Sequence, residues 1–354
     1  MRGAQCNVAS LKNIMRSLFL VSLLLLCACA STEQQSALSK CSQEFRTAIS
    51  STDLPLIPEN AKILCANQNP SSIVIFKANS DWNKKENQLF FWSSKDNKEI
   101  LPEYAKSFES MSECKPVNNA SQIFMCASQG GVALINYPSG KVVFYTSVMR
   151  PNETWRDVNP HSVALLPDGN AVVASSYGKR NIILLSVPEK FESPKQVKEK
   201  YYSLKSAHGV VWDSQKKLLW VLGYDSLVAY EYNFNKYAPE LKKVYTAKVP
   251  TIKLSGHDLY PVPNSDILMI TGNNSVWLFD TNNKTFASVE TNVNNHLKSI
   301  SQLSSNGAIL VQKPRKHYWS DAACIYNKDF TPIGELKDAR FYKLRWFVPN
   351  KFSD

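Results

Sequence analysis

The chain has 354 residues, with 41 Lys and Arg against 30 Asp and Glu and a formal net charge of +11. That excess favours anionic partners such as acidic glycans or lipid head groups. With no long Lys/Arg run and no zinc-finger spacing, it argues against nucleic acid as a partner.

From Met15 the sequence reads "MRSLFLVSLLLLCACASTEQQ", a basic residue and then a short apolar run ending in Leu26-Cys27-Ala28-Cys29. That order is a secretory signal, and its end resembles the bacterial lipobox. The resemblance implies a signal peptide over 1–28, cleavage before Cys29, and a lipid on its thiol. No aspartate follows Cys29 at Ala30 or Ser31, so the expected location is the cell envelope. The protein would be an outer-membrane lipoprotein, on the periplasmic or surface side, held to the membrane through its lipid alone. Residues 29–59 are read as anchor and tether, with Ser31 to Lys40 polar, and 60–354 as the folded domain. Residues 1–28 hold Arg2, Lys12 and Arg16 and no acid, so +11 less those three leaves +8. Five cysteines follow Cys29: Cys41, Cys65, Cys114, Cys126 and Cys324. None has CxxC spacing, and Cys114 and Cys126 are read as facing each other across adjacent strands.

The next elements are short β-runs. "AKILCA", "SSIVIFK" and "NQLFFWS" look like the second, third and fourth strands of a sheet that lacks its first. Residues 79 to 113 read as loop and short helix; a seventh unit would have to hide there. From Cys114 a repeat takes over. His161, His208 and His257 each lead a hairpin whose second strand starts ten residues later, at Ala171, Leu218 and Ile267. A third strand follows each: "NIILLSV", "LVAYEYN" and "SVWLFDT". The spacings are 47 and 49 residues. Cys114 lies 47 before His161, and Lys298 leads a further unit with Ala308 ten residues on. Short β-units at this period read as blades of a β-propeller, because one small twisted sheet cannot cover both of its faces alone. The count is six blades. "KLRWFVP", near the C-terminal end, supplies the strand missing from the first blade, so Phe341 to Trp346 should pair beside Ile63 to Ala66.

First strands line the channel of a propeller. The leading residues Lys343, Lys115 or Cys114, His161, His208, His257 and Lys298 should therefore ring one mouth as a wet, cationic funnel. The loops joining second to third strands open there too. They carry Tyr177 and Tyr224, each sixteen residues after its histidine, with Lys179, Arg180, Arg315 and Trp319. The connection before His161 adds Arg150, Trp155 and Arg156. The opposite face carries hairpin turns such as Pro167-Asp168-Gly169, and no site is expected there. The alternative is a set of histidines hydrogen-bonded into the sheet.

Three functions fit such a funnel. The first is binding, with possible cleavage, of an anionic saccharide in the manner of a polysaccharide lyase. Lys298, Lys343, Arg345, Arg180, Lys179 and Arg315 would neutralise acid groups, and Trp319 would stack on sugar. His161, His208, His257, Tyr177 and Tyr224 would move protons, giving a pH dependence between about 5 and 8. The second is a non-catalytic docking scaffold for envelope proteins. The third is a metal held by the histidines, which the flanking lysines oppose. No GxSxG elbow, P-loop, HExxH or dinucleotide fingerprint is present. The span from about 60 to 349 resembles an uncharacterised family of secreted bacterial β-propeller proteins, often lipoproteins. The likeness rests on "PHSVALLPDGNAVVASS", "AHGVVWD", "GHDLYPVP" and "FYKLRW". It implies the fold and supplies no substrate or cofactor.

Overall fold

The computed structural model describes residues 37–250, 256–289 and 296–354; the signal segment and Cys29 lie outside them. Six four-stranded antiparallel sheets make a six-bladed propeller. In five blades the strands run outward in chain order, with innermost strands Met111–Val117, Pro160–Leu165, Gly209–Asp213, Asp258–Pro261 and Ser299–Gln302. In the remaining blade Phe341–Trp346 is innermost, followed outward by Lys62–Gln68, Ser71–Lys77 and Gln88–Trp92. The register Ile63↔Trp346, Leu64↔Arg345, Cys65↔Leu344 and Ala66↔Lys343 closes the ring as expected.

Burial explains the strand patterns. Inner strands are covered on both faces by neighbouring blades, so they are continuously apolar rather than alternating; "ILMIT" (Ile267–Thr271) is buried throughout. The outermost strand "LKKVYTAK" (Leu241–Lys248) is largely exposed. Trp82 wedges into the core, stacked on Phe76 at 4.4 Å and edge-on to Phe341 at 5.7 Å. A Cβ at position 334 would lie 2.1 Å from the Trp82 ring, so only Gly334 allows that approach.

Two expectations change. Residues 37–50 are helix rather than loose tether. Leu38, Cys41, Phe45 and Ile49 form one apolar stripe, packed with Val262, Ile267 and Cys324. Cys114 and Cys126 do sit on adjacent strands, but Cys114 pairs with Met125 and Cys126 with Glu113. Successive strand residues face opposite sides, so the two thiols enter different inter-blade cores. All five described cysteines are free and buried.

Candidate functional site

Register decides which residues reach the channel mouth. The first-strand bulges leave Ser112, His161 and Tyr342 without a partner in their ladders. A bulge residue shifts the phase of the rest of its strand by one position. His208, His257 and Lys298 stand one residue ahead of the paired residues Gly209, Asp258 and Ser299. The mouth ring is therefore Ser112, His161, His208, His257, Lys298 and Tyr342. Beneath it lies Glu113, Ser162, Gly209, Asp258, Ser299 and Lys343. The repeat spacing puts His161, His208, His257 and Lys298 at the mouth correctly, but it misplaces Lys115, Cys114 and Lys343. Tyr342 and Ser112 hold the positions assigned to those residues.

The second layer is an ion-paired plug. Lys343 Nζ donates to Glu113 Oε2 at 3.1 Å and to Asp258 Oδ1 at 2.9 Å. Arg345 clamps Asp258 through Nη1 to Oδ2 at 2.6 Å and Nη2 to Oδ1 at 2.7 Å, and reaches Glu113 at 2.9 Å. Lys115 Nζ crosses below to Ser162 Oγ, Val163 O and Val210 O at 3.0, 3.0 and 2.7 Å. Burial pushes the Lys115 ammonium down to about 8. Lys343 and Arg345, expected as ligand contacts, are completely buried inside the channel and already occupied.

Above the plug is a cavity of about 580 Å³ whose lining includes Trp155, Asn159, Tyr177, Tyr318 and Tyr342 beside the three histidines and Lys298. The imidazole rings stand edge to face, His161–His208 at 4.6 Å and His208–His257 at 5.8 Å between centroids. Each histidine is only 7–8% exposed, so the funnel is less wet than the sequence implied. His161 Nδ1 donates to Asn159 O and His208 Nδ1 to Ser206 O, both at 2.9 Å. A carbonyl only accepts, which fixes these tautomers and leaves each Nε2 an acceptor. Desolvation pushes His208 down to about 4, and His161 and His257 well below their ordinary value, helped by neighbouring rings and lysines. The histidines are thus neutral across the range where protonation was expected.

Lys298 is the cation of the mouth. Its Nζ lies 3.0 Å from His257 Nε2 and has no ion-pair partner among the described residues. Burial, then the charge of Lys343, push it down to about 8. His257 Nε2–H donates to Asn273 Oδ1 at 2.6 Å, which leaves Nδ1, 3.4 Å from Lys298 Nζ, as the acceptor of that ring. Asn273 stands sixteen residues after His257, the offset that singled out Tyr177 and Tyr224, so that signal was present in the sequence. Asn159 Oδ1 is buried with no hydrogen-bond partner among the described residues. Among the described residues no Asp or Glu lines this cavity.

The remaining candidates divide. Tyr177 lines the cavity, edge-on to Trp155 at 5.7 Å. Tyr224 does not line it, and packs under Lys205 with the ammonium 4.4 Å from its ring. Arg180 is ion-paired with Glu153 and lies 3.9 Å from Glu199. Arg315 is paired with Asp321 at 3.1 Å and Glu335 at 2.6 Å. Trp319 stacks under Arg340, and Lys179 is exposed outside the cavity. Each of these carries its own surface partner or points elsewhere, so the cationic cluster expected at the rim reduces to Lys298. Among the described residues no group of three or more His, Cys, Asp or Glu is arranged to hold a metal ion.

The chain belongs to a family of unknown function, DUF6528, whose model matches residues 15–354. No curated protein matches it. Among solved structures it is similar to a "putative 6-phosphogluconolactonase" from Bacteroides uniformis ATCC 8492, at 11% identity and a TM-score of 0.50, over 82% of this chain and 100% of that one. Another with the same description, from Bacteroides fragilis NCTC 9343, is 13% identical with a TM-score of 0.49, over 83% of this chain and 85% of that one. At such identities the likeness is one of fold.

Proposed function

We propose that the channel mouth binds an anionic saccharide. The observation that carries this reading is Lys298, a mostly buried ammonium that meets no carboxylate among the described residues, in a cavity whose described lining holds none. Taking the plug and mouth together, Lys115, Lys298, Lys343 and Arg345 face only Glu113 and Asp258, an excess of two positive charges among the described residues. A buried ammonium costs several kcal/mol unless an anion meets it. The rest of the wall suits a polyol. The Nε2 atoms of His161 and His208 and the Oδ1 of Asn159 accept hydrogen bonds from hydroxyl groups, and Trp155 and Tyr177 offer ring faces.

Among the described residues, this cavity holds no carboxylate pair of the kind that hydrolyses glycosides. Elimination is a second reading, supported by the Lys298–His257 contact, because an amine titrating at about 8 can serve as a base. Calorimetry against a panel of acidic oligosaccharides, combined with the ultraviolet absorbance of unsaturated products, tests both readings. Lys298→Met should weaken binding about 10- to 100-fold, the weight of one charge-assisted hydrogen bond, while melting with the parent. The bound anion favours the charged amine, so affinity should be flat from pH 5 to 7 and fall as pH rises through about 8. Equal binding by the variant, or no binding to any acidic glycan, overturns the reading and favours a docking scaffold.

The envelope address belongs to the same proposal, with Cys29 as anchor. Cys29→Ala should abolish fatty-acid labelling of the exported chain, and labelling that persists removes the anchor.

A further inference from the structure

The cavity's shape says which part of a saccharide it can take. We infer that it receives the end of a chain carrying an acidic terminal residue, not an interior stretch. This rests on the saccharide reading above and deepens it.

Among the described residues, all six blades contribute to the wall. Gln68 and Tyr342 come from the first blade, Ser128 from the second and His161 from the third; His208, His257 and Lys298 continue the ring through the other three. A groove that held a chain interior would need two open ends across that ring, one for each continuing strand of sugar. Here Trp155 and Tyr177 stand on one side and Tyr318 on another.

The floor is closed. Glu113, Ser162, Asp258, Ser299 and Lys343 are fully buried. The one glycine of that layer leaves no gap, because a Cβ on Gly209 would lie 2.5 Å from Leu259 Cβ. Below the plug a second cavity of about 570 Å³ opens toward the turns, lined by Pro116, Trp212 and Phe234 among others; no residue lines both cavities. The channel is therefore two blind cups back to back, and nothing threads it. A volume of about 580 Å³ is within the range of pockets that enclose one small ligand, roughly 300–1,000 Å³. Lys298, the cavity's cation, matches a single carboxylate there.

The test uses the full chain and two sets of probes in calorimetry. One set is a hexuronate series from monomer to hexamer. The other is a pair of trisaccharides with one uronate each, terminal in the first and central in the second. End binding predicts one protein per chain at every length, an affinity constant within about threefold from the trimer upward, and at least tenfold tighter binding of the terminal-uronate trisaccharide. Several proteins per hexamer, with equal binding of the two trisaccharides, would overturn end recognition while leaving saccharide binding intact. Absence of binding by every probe would overturn both. A Lys298→Met variant run beside them ties the signal to this cup, since binding that survives it lies elsewhere.

Discussion

Asp258→Ala is expected to destabilise the fold by about 3–5 kcal/mol, the cost of removing one partner from a buried ion pair. The carboxylate takes two bonds from the Arg345 guanidinium, one from Lys343 and one from the Ile300 amide at 3.0 Å. Without it, two fully buried cations would share only Glu113, whose Oε2 already receives both. Stabilities of single domains are about 5–15 kcal/mol, so the loss should shift the urea midpoint strongly at pH 7. The pH dependence has a definite sign. Burial alone would raise the Asp258 pKa, but Arg345 and Lys343 outweigh it and hold the carboxyl well below its ordinary range. A depressed carboxylate contributes stability that is complete above its unfolded value of about 3.9 and is lost as pH falls from there toward the folded value. The parent should therefore lose stability below about pH 4 more steeply than Asp258→Asn. A change under about 1 kcal/mol in the alanine variant would mean that the plug carries little of the fold.

The repeat was legible because blade geometry is written in local spacing. His161, His208, His257 and Lys298 fall at one register, and ten residues separate each from its second strand. Bulges were not legible. The bulge at Tyr342 moved Lys343 from the mouth to the plug, and Ser112 stands 49 residues before His161 rather than the 47 that pointed to Cys114. Nor could the sequence show what neutralises a cation, since Lys343 meets Glu113 across 230 residues and Arg345 meets Asp258 across 87. A basic residue at a channel-facing position reads alike whether it awaits a ligand or completes a pair. The helix over 37–50 was missed for a different reason. Its apolar stripe is only Leu38, Cys41, Phe45 and Ile49, spread through a polar segment.

Truncation after Ala339 should abolish cooperative folding. The lost segment includes the innermost strand of the first blade, so Lys62–Gln68 would present an unpaired edge to solvent, and open edges recruit other chains. It also joins two blades. Leu344 N donates to Ser299 Oγ, Arg345 to Ile300 O, and the Trp346 indole to Ala308 O, at 2.9, 3.0 and 3.0 Å. Leu344 and Trp346 fill the core shared with Phe76 and Leu310. With Lys343 and Arg345 gone, Glu113 and Asp258 would stay buried beside each other's charge with no cation except Lys115, 4.0 Å from Glu113. Strand loss, core loss and unpaired charge all act on one seam, and a ring closed at a single place cannot redistribute them. Light scattering and near-ultraviolet circular dichroism should show aggregation and no fixed tertiary signal. A synthetic peptide spanning 340–354, added during refolding, should restore part of that signal, because the missing strand needs only its edge and its carboxylates to dock. Trp346→Ala gives a milder check, with about 3–5 kcal/mol expected from the emptied core site. A truncated chain that stays monomeric and melts with the parent would show that the ring does not depend on this closure.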